Sequence, residues 1–485
     1  MKRHFIDLFL GLLHALIAFY LVHLTNEVQP AAYMDEYFHE KQTQAYLAGR
    51  WSEWDPNITT PPGLYLLTAV ILKPQEIFLG NDTGQNLSVT HFRHLNALHL
   101  GVNAFLVSSI MSRLCRLPLP LHLLYIISTV TLPVLFFTSF LFYTDQVSLA
   151  AVLATALAFL SKRPLTAFFL ACFACSVRQT NIVWCAFLVG MATALRLSSL
   201  LKDRGSPTKR SAFGWLHVLL CSPVKVVQAV FQSIVYDAPL LTLVGGLFMA
   251  FLWWNGGIVL GDRSSHEFTL HIPQLLYFLA FCAAHTPLRF LLFLLRLSRS
   301  FYSRRGLLLL LLLLFSLTAL SVASVHCCTV AHKYILADNR HYTFYVWQRL
   351  FKRYTAFRYV VTPLYALAAL YVASTFFPTM ETAVAVMTEA APCRLLALLR
   401  LAIFLVCTAA CLIPSPLIEC RYFIVPFVVW RLMTAPHAAA PPAALLTAAS
   451  EVLLNVAVNA VTVYVFLYRP FVWDSQPSVM QRFMW

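Results

Sequence analysis

Two neighbouring carboxylates, Asp35 and Glu36, follow the first apolar run of this 485-residue chain, within Tyr33-Met34-Asp35-Glu36-Tyr37-Phe38-His39-Glu40. A carboxylate among aromatic residues close to a bilayer can serve as a general base whose pKa is tuned by partial burial; the plain alternative is a solvated acidic loop. The stretch continues to Trp51-Ser52-Glu53-Trp54-Asp55-Pro56, and three further polar clusters interrupt apolar surroundings. Arg178-Gln179-Thr180-Asn181 lies between two apolar runs, where polar groups ordinarily just reach the interface. His332 and Lys333 lead to Asp338-Asn339-Arg340-His341-Tyr342, donors suited to holding a phosphate or pyrophosphate through charge-assisted bonds, or to forming a structural salt-bridge network. In Glu419-Cys420-Arg421-Tyr422-Phe423 an acid and an arginine enter an apolar region, and an intramembrane ion pair is the competing reading.

The elements that must position these clusters are membrane helices. Hydrophobic residues make up 60% of the chain and charged ones 11%, against about 25% charged in a soluble domain. Runs such as Phe5 to Leu24, Leu240 to Leu260 and Gly306 to Val325 approach or reach the roughly 20 apolar residues that cross a bilayer. The expected fold is an all-α polytopic membrane protein with little mass outside the membrane. Thirty-five Lys and Arg against 20 acidic residues give +15, but the basic residues cluster in short loops between apolar runs. That is the positive-inside bias and not a nucleic-acid surface. Most of the twelve cysteines, Cys172 and Cys175 included, lie within apolar runs where neither disulfide nor zinc cage is expected. No Walker loop, dinucleotide-binding glycine pattern, HExxH or Asp-x-Asp motif occurs.

Orientation follows from the charges. Lys2 and Arg3 ahead of the first apolar run, with no cleavage site before Thr25, indicate a retained signal anchor with a cytosolic N-terminus. Treating Ile58 to Leu72 as a half-buried luminal helix places Arg113 and Arg116 in the cytosol, and makes 25–91 one luminal loop with sequons at Asn57, Asn81 and Asn86. Spans near 92–112, 121–142, 147–160, 164–177, 181–196, 238–260, 271–290 and 306–328 follow, with 196–237 a cytosolic basic loop and 329–358 a luminal one. The basic stretch Arg349, Lys352, Arg353 and Arg358 runs against the rule, leaving the orientation of spans near 359–377, 395–413, 421–434 and 447–468 open. The count is roughly 12 to 14 spans. At about 14 residues, the spans 147–160 and 164–177 rise only ~21 Å and should be packed inside the bundle.

At the polar clusters the sequence resembles the dolichyl-phosphate-glucose-dependent α-1,2-glucosyltransferases of the lipid-linked oligosaccharide pathway (DIE2/Alg-ten family, GT-C superfamily). The carrying segments are Met34-Asp35-Glu36 with Phe38-His39, Trp54-Asp55-Pro56, Ile58 through Tyr65, Arg178 through Ile182, Ala337 through Trp347, Arg421-Tyr422-Phe423 and Gln481 through Trp485. Asn57, Lys333 and Cys420 depart from the family pattern. The resemblance implies a GT-C fold in the endoplasmic reticulum membrane with a site facing the lumen. It implies dolichyl phosphate glucose as donor, the diglucosylated dolichyl-pyrophosphate oligosaccharide as acceptor, and one-step inversion with no cofactor and no metal. By the same resemblance Asp35 is the base, with Glu36 the fallback. Arg340 and His341 lead in stabilising the leaving phosphate, with Arg178, Lys333 and Arg421 contributing. Trp54, Asp55, Tyr65, Asp338, Asn339 and Tyr342 are the further candidate substrate contacts; for Trp54 and Tyr65, core packing competes with stacking on sugar rings. The rival readings are a dolichyl-phosphate-mannose-dependent mannosyltransferase of the same superfamily, a lipid or solute transporter, and a nonenzymatic membrane regulator.

Overall fold

The computed structural model describes residues 2–78, 87–202, 221–261, 263, 268–298, 304–332, 336–377, 393–435 and 442–485. Lys333 and the sequons at Asn81 and Asn86 lie outside them. The protein is a bundle of α-helices, as an apolar chain must be when no water is available to satisfy its backbone. Among the described residues seven helices are long and apolar enough to cross a membrane, or ten if each of three bent pairs is one span. This is fewer than the 12 to 14 apolar runs counted along the sequence.

Proline explains part of the difference. Leu119–Val130 and Pro133–Phe140 meet at 65°, Pro223–Asp237 and Pro239–Asn255 at 95°, and Pro273–Ala284 and Pro287–Leu297 at 97°. A proline opens the second member of each pair, where its missing N–H costs nothing, while it bars the preceding residue from continuing the earlier helix. The expected straight spans 121–142 and 271–290 are therefore each broken. The expected basic loop 196–237 is also partly helical: Asn181–Lys202 runs into it, Pro223–Gln232 follows, and Arg196 pairs with Asp237. Of the two short spans, Thr144–Leu160 is largely buried. Pro164–Val177 instead leaves Leu165 and Phe169 exposed on its outer face, while Ala167, Ala171, Ala174 and Val177 are buried.

The first helix, Lys2–Val28, crosses Val89–Leu114 at Gly11 and Gly101, where a Cβ on Gly11 would stand 3.0 Å from the Gly101 carbonyl oxygen. Such small-residue contacts let membrane helices approach closely. Between these helices lie Glu36–Leu47 and Gly63–Phe78. The latter buries Leu64, Tyr65, Ala69 and Leu72 and exposes Val70 and Ile71. At Gly63 a Cβ would stand 2.6 Å from the carbonyl of Ser176, so only glycine lets the Thr-Pro-Pro turn rest on the end of Pro164–Val177.

Glu36 and Arg93 tie this layer to the bundle. Both side chains are 0% exposed. Arg93 donates Nε and Nη2 to the two Glu36 oxygens at 2.9 and 2.6 Å, and its other N–H groups to Asn26 Oδ1 and the carbonyls of Gln29 and Ala31. Glu36 also accepts the backbone N–H of Tyr33 at 2.9 Å and of Phe142 at 2.6 Å. The chain then departs from pure helix at its far end. Strands Phe471–Trp473 and Gln476–Gln481 form an antiparallel hairpin pairing Phe471 with Gln481 and Val472 with Met480. The following residues return to the face that carries Val28 and Asp35, as shown by the bond between Tyr33 and Arg482.

Removing one partner of a fully buried pair leaves the other charge uncompensated, which costs about 3–5 kcal/mol. Glu36→Gln and Arg93→Met should therefore each lower the thermal unfolding midpoint in detergent well below that of Asp35→Asn, which should unfold close to wild type.

Candidate active site

A cavity of about 600 Å³ opens on that same face. Its wall takes Asp35 and His39 from the first loop, Tyr143 and Thr144 from the start of Thr144–Leu160, and Arg178 and Gln179 from the turn after Pro164–Val177. Asp338, Arg340 and His341 come from a fourth segment, and Glu419, Arg421 and Tyr422 from a fifth. All four polar clusters thus contribute to one cavity, although Asp35 and Arg421 are separated by 386 residues.

Asp35 sits at the N-cap of Glu36–Leu47, one residue after Met34, whose φ of 58° is a left-handed conformation uncommon for a side chain of that size. That turn sends the two acids in opposite directions. Glu36 goes inward to Arg93, whereas the Asp35 side chain is 45% exposed and meets Nη1 and Nη2 of Arg421 at 3.3 Å. Burial acts to raise the Asp35 carboxyl, but Arg421 first, then His39 and His341, outweigh it and hold the group below the usual carboxylate range. Asp35 is therefore ionised at neutral pH. His39 is pushed down to about 4 by burial, with Asp35 pulling the other way, and so stays neutral. Its Nδ1 bonds the Tyr65 hydroxyl at 2.8 Å.

Each cavity arginine is held by a carboxylate. Arg421 donates to Glu419 Oε2 at 2.7 Å and lies 4.0 Å from Asp145, with its guanidinium over the Tyr143 ring. Arg178 meets Asp145 at 3.0 Å. Arg340 is bidentate on Asp338, at 2.9 and 2.7 Å, and stacks over Trp473. Burial works to raise Asp338 and Arg340 overrides it, so this carboxyl too lies below its ordinary value. Such pairing fixes guanidinium forks before any anion arrives.

Of the residues singled out in the sequence, Asp35, Arg178, Asp338, Arg340, His341 and Arg421 line the cavity. Others do not. Glu36 is saturated by four donors, which leaves it no lone pair for a substrate proton. Trp54 and Tyr65 pack against each other in a hydrophobic cluster under the first loop, so core packing is their role, with Tyr65 also orienting His39. Asp55 closes its own turn by accepting the N–H and Nδ2 of Asn57. Asn339 accepts from Trp473 Nε1, and the Tyr342 ring lies against Trp485. The residues that sequence reasoning missed are Asp145 and Tyr143, with His39 and Gln179 quoted but given no role and Glu419 named only as the acid of an ion pair. The polar step Tyr143-Thr144-Asp145-Gln146 between two apolar runs was the available signal for the first two.

Because Arg421 depresses the Asp35 carboxyl, replacing it should move that group's titration to higher pH. In Arg421→Gln, carboxyl footprinting of Asp35 across a pH series should place the midpoint above that of wild type; an unmoved midpoint would remove Arg421 as the cause.

The profile of the DIE2/ALG10 family matches residues 29–432. A Homo sapiens protein named Dol-P-Glc:Glc(2)Man(9)GlcNAc(2)-PP-Dol alpha-1,2-glucosyltransferase is 34% identical over 93% of each chain. Proteins of the same name from Yarrowia lipolytica, 31% identical over 96% of each chain, and from Arabidopsis thaliana, 30% identical over 95% of this chain and 96% of that one, are similar along the same length.

Proposed function

Since the chain belongs to the DIE2/ALG10 family, we propose that the cavity transfers the α-1,2-linked glucose from dolichyl phosphate glucose to the dolichyl-pyrophosphate-linked oligosaccharide that already carries two glucoses. The observation that carries this reading is that Asp35, ionised and half-exposed, faces the same cavity as Arg178, Arg340 and Arg421. A site for glycosyl transfer from a lipid phosphate needs both: an acceptor of the hydroxyl proton, and cations where the leaving phosphate gains charge.

In the step we propose, the acceptor 2-hydroxyl oxygen attacks the anomeric carbon of the β-linked donor and its proton passes to Asp35. The bond from that carbon to the phosphate oxygen breaks, and the electron pair leaves with dolichyl phosphate, giving the α-linked product by inversion. A carboxylate with a depressed pKa is a weak base, so the proton moves late, once bond formation has acidified the hydroxyl. Arg340, His341 and Arg178, all lining the cavity, stabilise the departing phosphate, and Arg421 contacts the base. Neutral His39, held by Tyr65, donates or accepts hydrogen bonds to the sugar without adding charge. We place this face in the lumen of the endoplasmic reticulum, supported by the cytosolic assignment of Lys2, Arg3, Arg113 and Arg116 at the opposite helix ends. Asn57, a sequon residue in the cavity wall, then goes unglycosylated in active protein.

The test is transfer of labelled glucose by purified protein at equal expression. Asp35→Asn should lose at least about 10²-fold in turnover, the lower range for a general base, and Arg340→Ala should lose turnover at similar donor affinity. Glu36→Gln should lose folded protein instead of turnover per folded molecule. No glucose transfer by wild type, or full turnover in Asp35→Asn, would overturn the assignment.

A further inference from the structure

Asp35 and Arg340 approach the cavity from distant parts of the chain, and one short segment touches both neighbourhoods. Tyr33, two residues before Asp35, donates its hydroxyl to the Arg482 carbonyl at 2.7 Å and accepts the Arg482 N–H at 2.8 Å. Two residues further on, Met484 donates its N–H to the Arg340 carbonyl at 2.9 Å and accepts the Tyr342 N–H at 3.3 Å. His341 Nδ1 bonds the main-chain oxygen of Trp485 at 3.1 Å, an arrangement that aims the rest of that ring at the cavity. The segment is itself anchored. The buried Arg482 guanidinium donates to the carbonyls of Phe466 and Leu467 at 2.7 and 2.9 Å and to that of Val28 at 2.7 Å. It thereby caps the ends of the first helix and of Pro442–Tyr468 together, using acceptors those helices leave over.

We propose that Arg482 and Tyr33 are positioning residues for glucosyl transfer: through them the segment after the hairpin sets the distance between the Asp35 turn and the Arg340–His341 wall. Neither side chain lines the cavity. Their effect passes through the backbone at residues 33–35 and 340–342. The inference rests on the glucosyl-transfer reading above. A planar fork is required at Arg482, because the two helices are reached from different nitrogens, Nη1 bonding Phe466 and Leu467 and Nη2 bonding Val28, and an ammonium on a flexible stem cannot reproduce that.

The experiment compares wild type, Tyr33→Phe, Arg482→Lys, Arg482→Ala and, as a control on the same hairpin, Met480→Ala, whose side chain is exposed. Tyr33→Phe removes one oxygen and should fold with a melting temperature near wild type. It should lower kcat by about tenfold, the size of one lost orienting contact in a preorganised site, with KM for both lipid substrates within about twofold. Arg421, His39 and His341 are the charged or titratable groups acting on Asp35, so a displaced Asp35 turn should also move the acid limb of the pH–kcat profile upward. Arg482→Lys should fail to restore what Arg482→Ala loses, and Met480→Ala should match wild type. Wild-type kcat and acid limb in Tyr33→Phe would overturn the proposal, as would losses that follow the folded fraction alone or rescue by lysine. Absence of transfer by wild type would instead sink the underlying functional reading, so the two failures are distinct.

Discussion

The site depends on one ion pair that no substrate touches. Glu36 and Arg93 lie wholly out of solvent, and every N–H of the guanidinium and both oxygens of the carboxylate are engaged. A buried pair of this kind adds little net stability over apolar packing, since two charges must first be dehydrated. What it contributes here is place. Through Asn26, Gln29 and Ala31 it fixes how the chain leaves the first helix, and through Phe142 it fixes that turn against the start of Thr144–Leu160. With Glu36 committed inward, the left-handed turn at Met34 leaves Asp35 only the cavity to face.

The electrostatics of the cavity follow the same economy of preassembly. Arg178, Arg340 and Arg421 each carry a carboxylate partner from a neighbouring segment or their own. A bare guanidinium at a membrane boundary would swing toward water or lipid phosphates. A paired one keeps its fork aimed, and an arriving phosphate monoester or diester competes for it with a fixed partner rather than with bulk water. Asp35 shares Arg421 in this way, so in the proposed transfer charge gained by a leaving group near Arg421 would weaken the hold on Asp35 as the latter takes up a proton. Under that proposal, base and leaving-group stabiliser are coupled through one side chain.

The sequence made the membrane class plain, because composition and run length leave an apolar chain no other fold. It also marked the four polar clusters that converge on the cavity, since arginines and acids are too expensive in an apolar run to go unnoticed. Which of two adjacent acids faces the cavity was not legible: it depends on Arg93, 57 residues away, and on a backbone angle at Met34. Asp145 escaped notice as a single acid in an apolar setting. Trp54 and Tyr65 drew attention by type, yet aromatic rings bury far more often than they bind. The sharp bends were written in Pro133, Pro239 and Pro287, but hydropathy averaging erases them. The hairpin after the last helix had no periodic signal long enough to read.

The order of the chain has a further consequence for biosynthesis. Asp35 follows the helix Lys2–Val28, while Arg482 and Met484 follow the helix Pro442–Tyr468. Every helix described here is therefore made before that segment can bridge the Tyr33 turn and the Arg340 wall. A nascent chain that has not yet reached Arg482 and Met484 lacks the contacts that join the Tyr33–Asp35 turn to the Arg340–His341 segment.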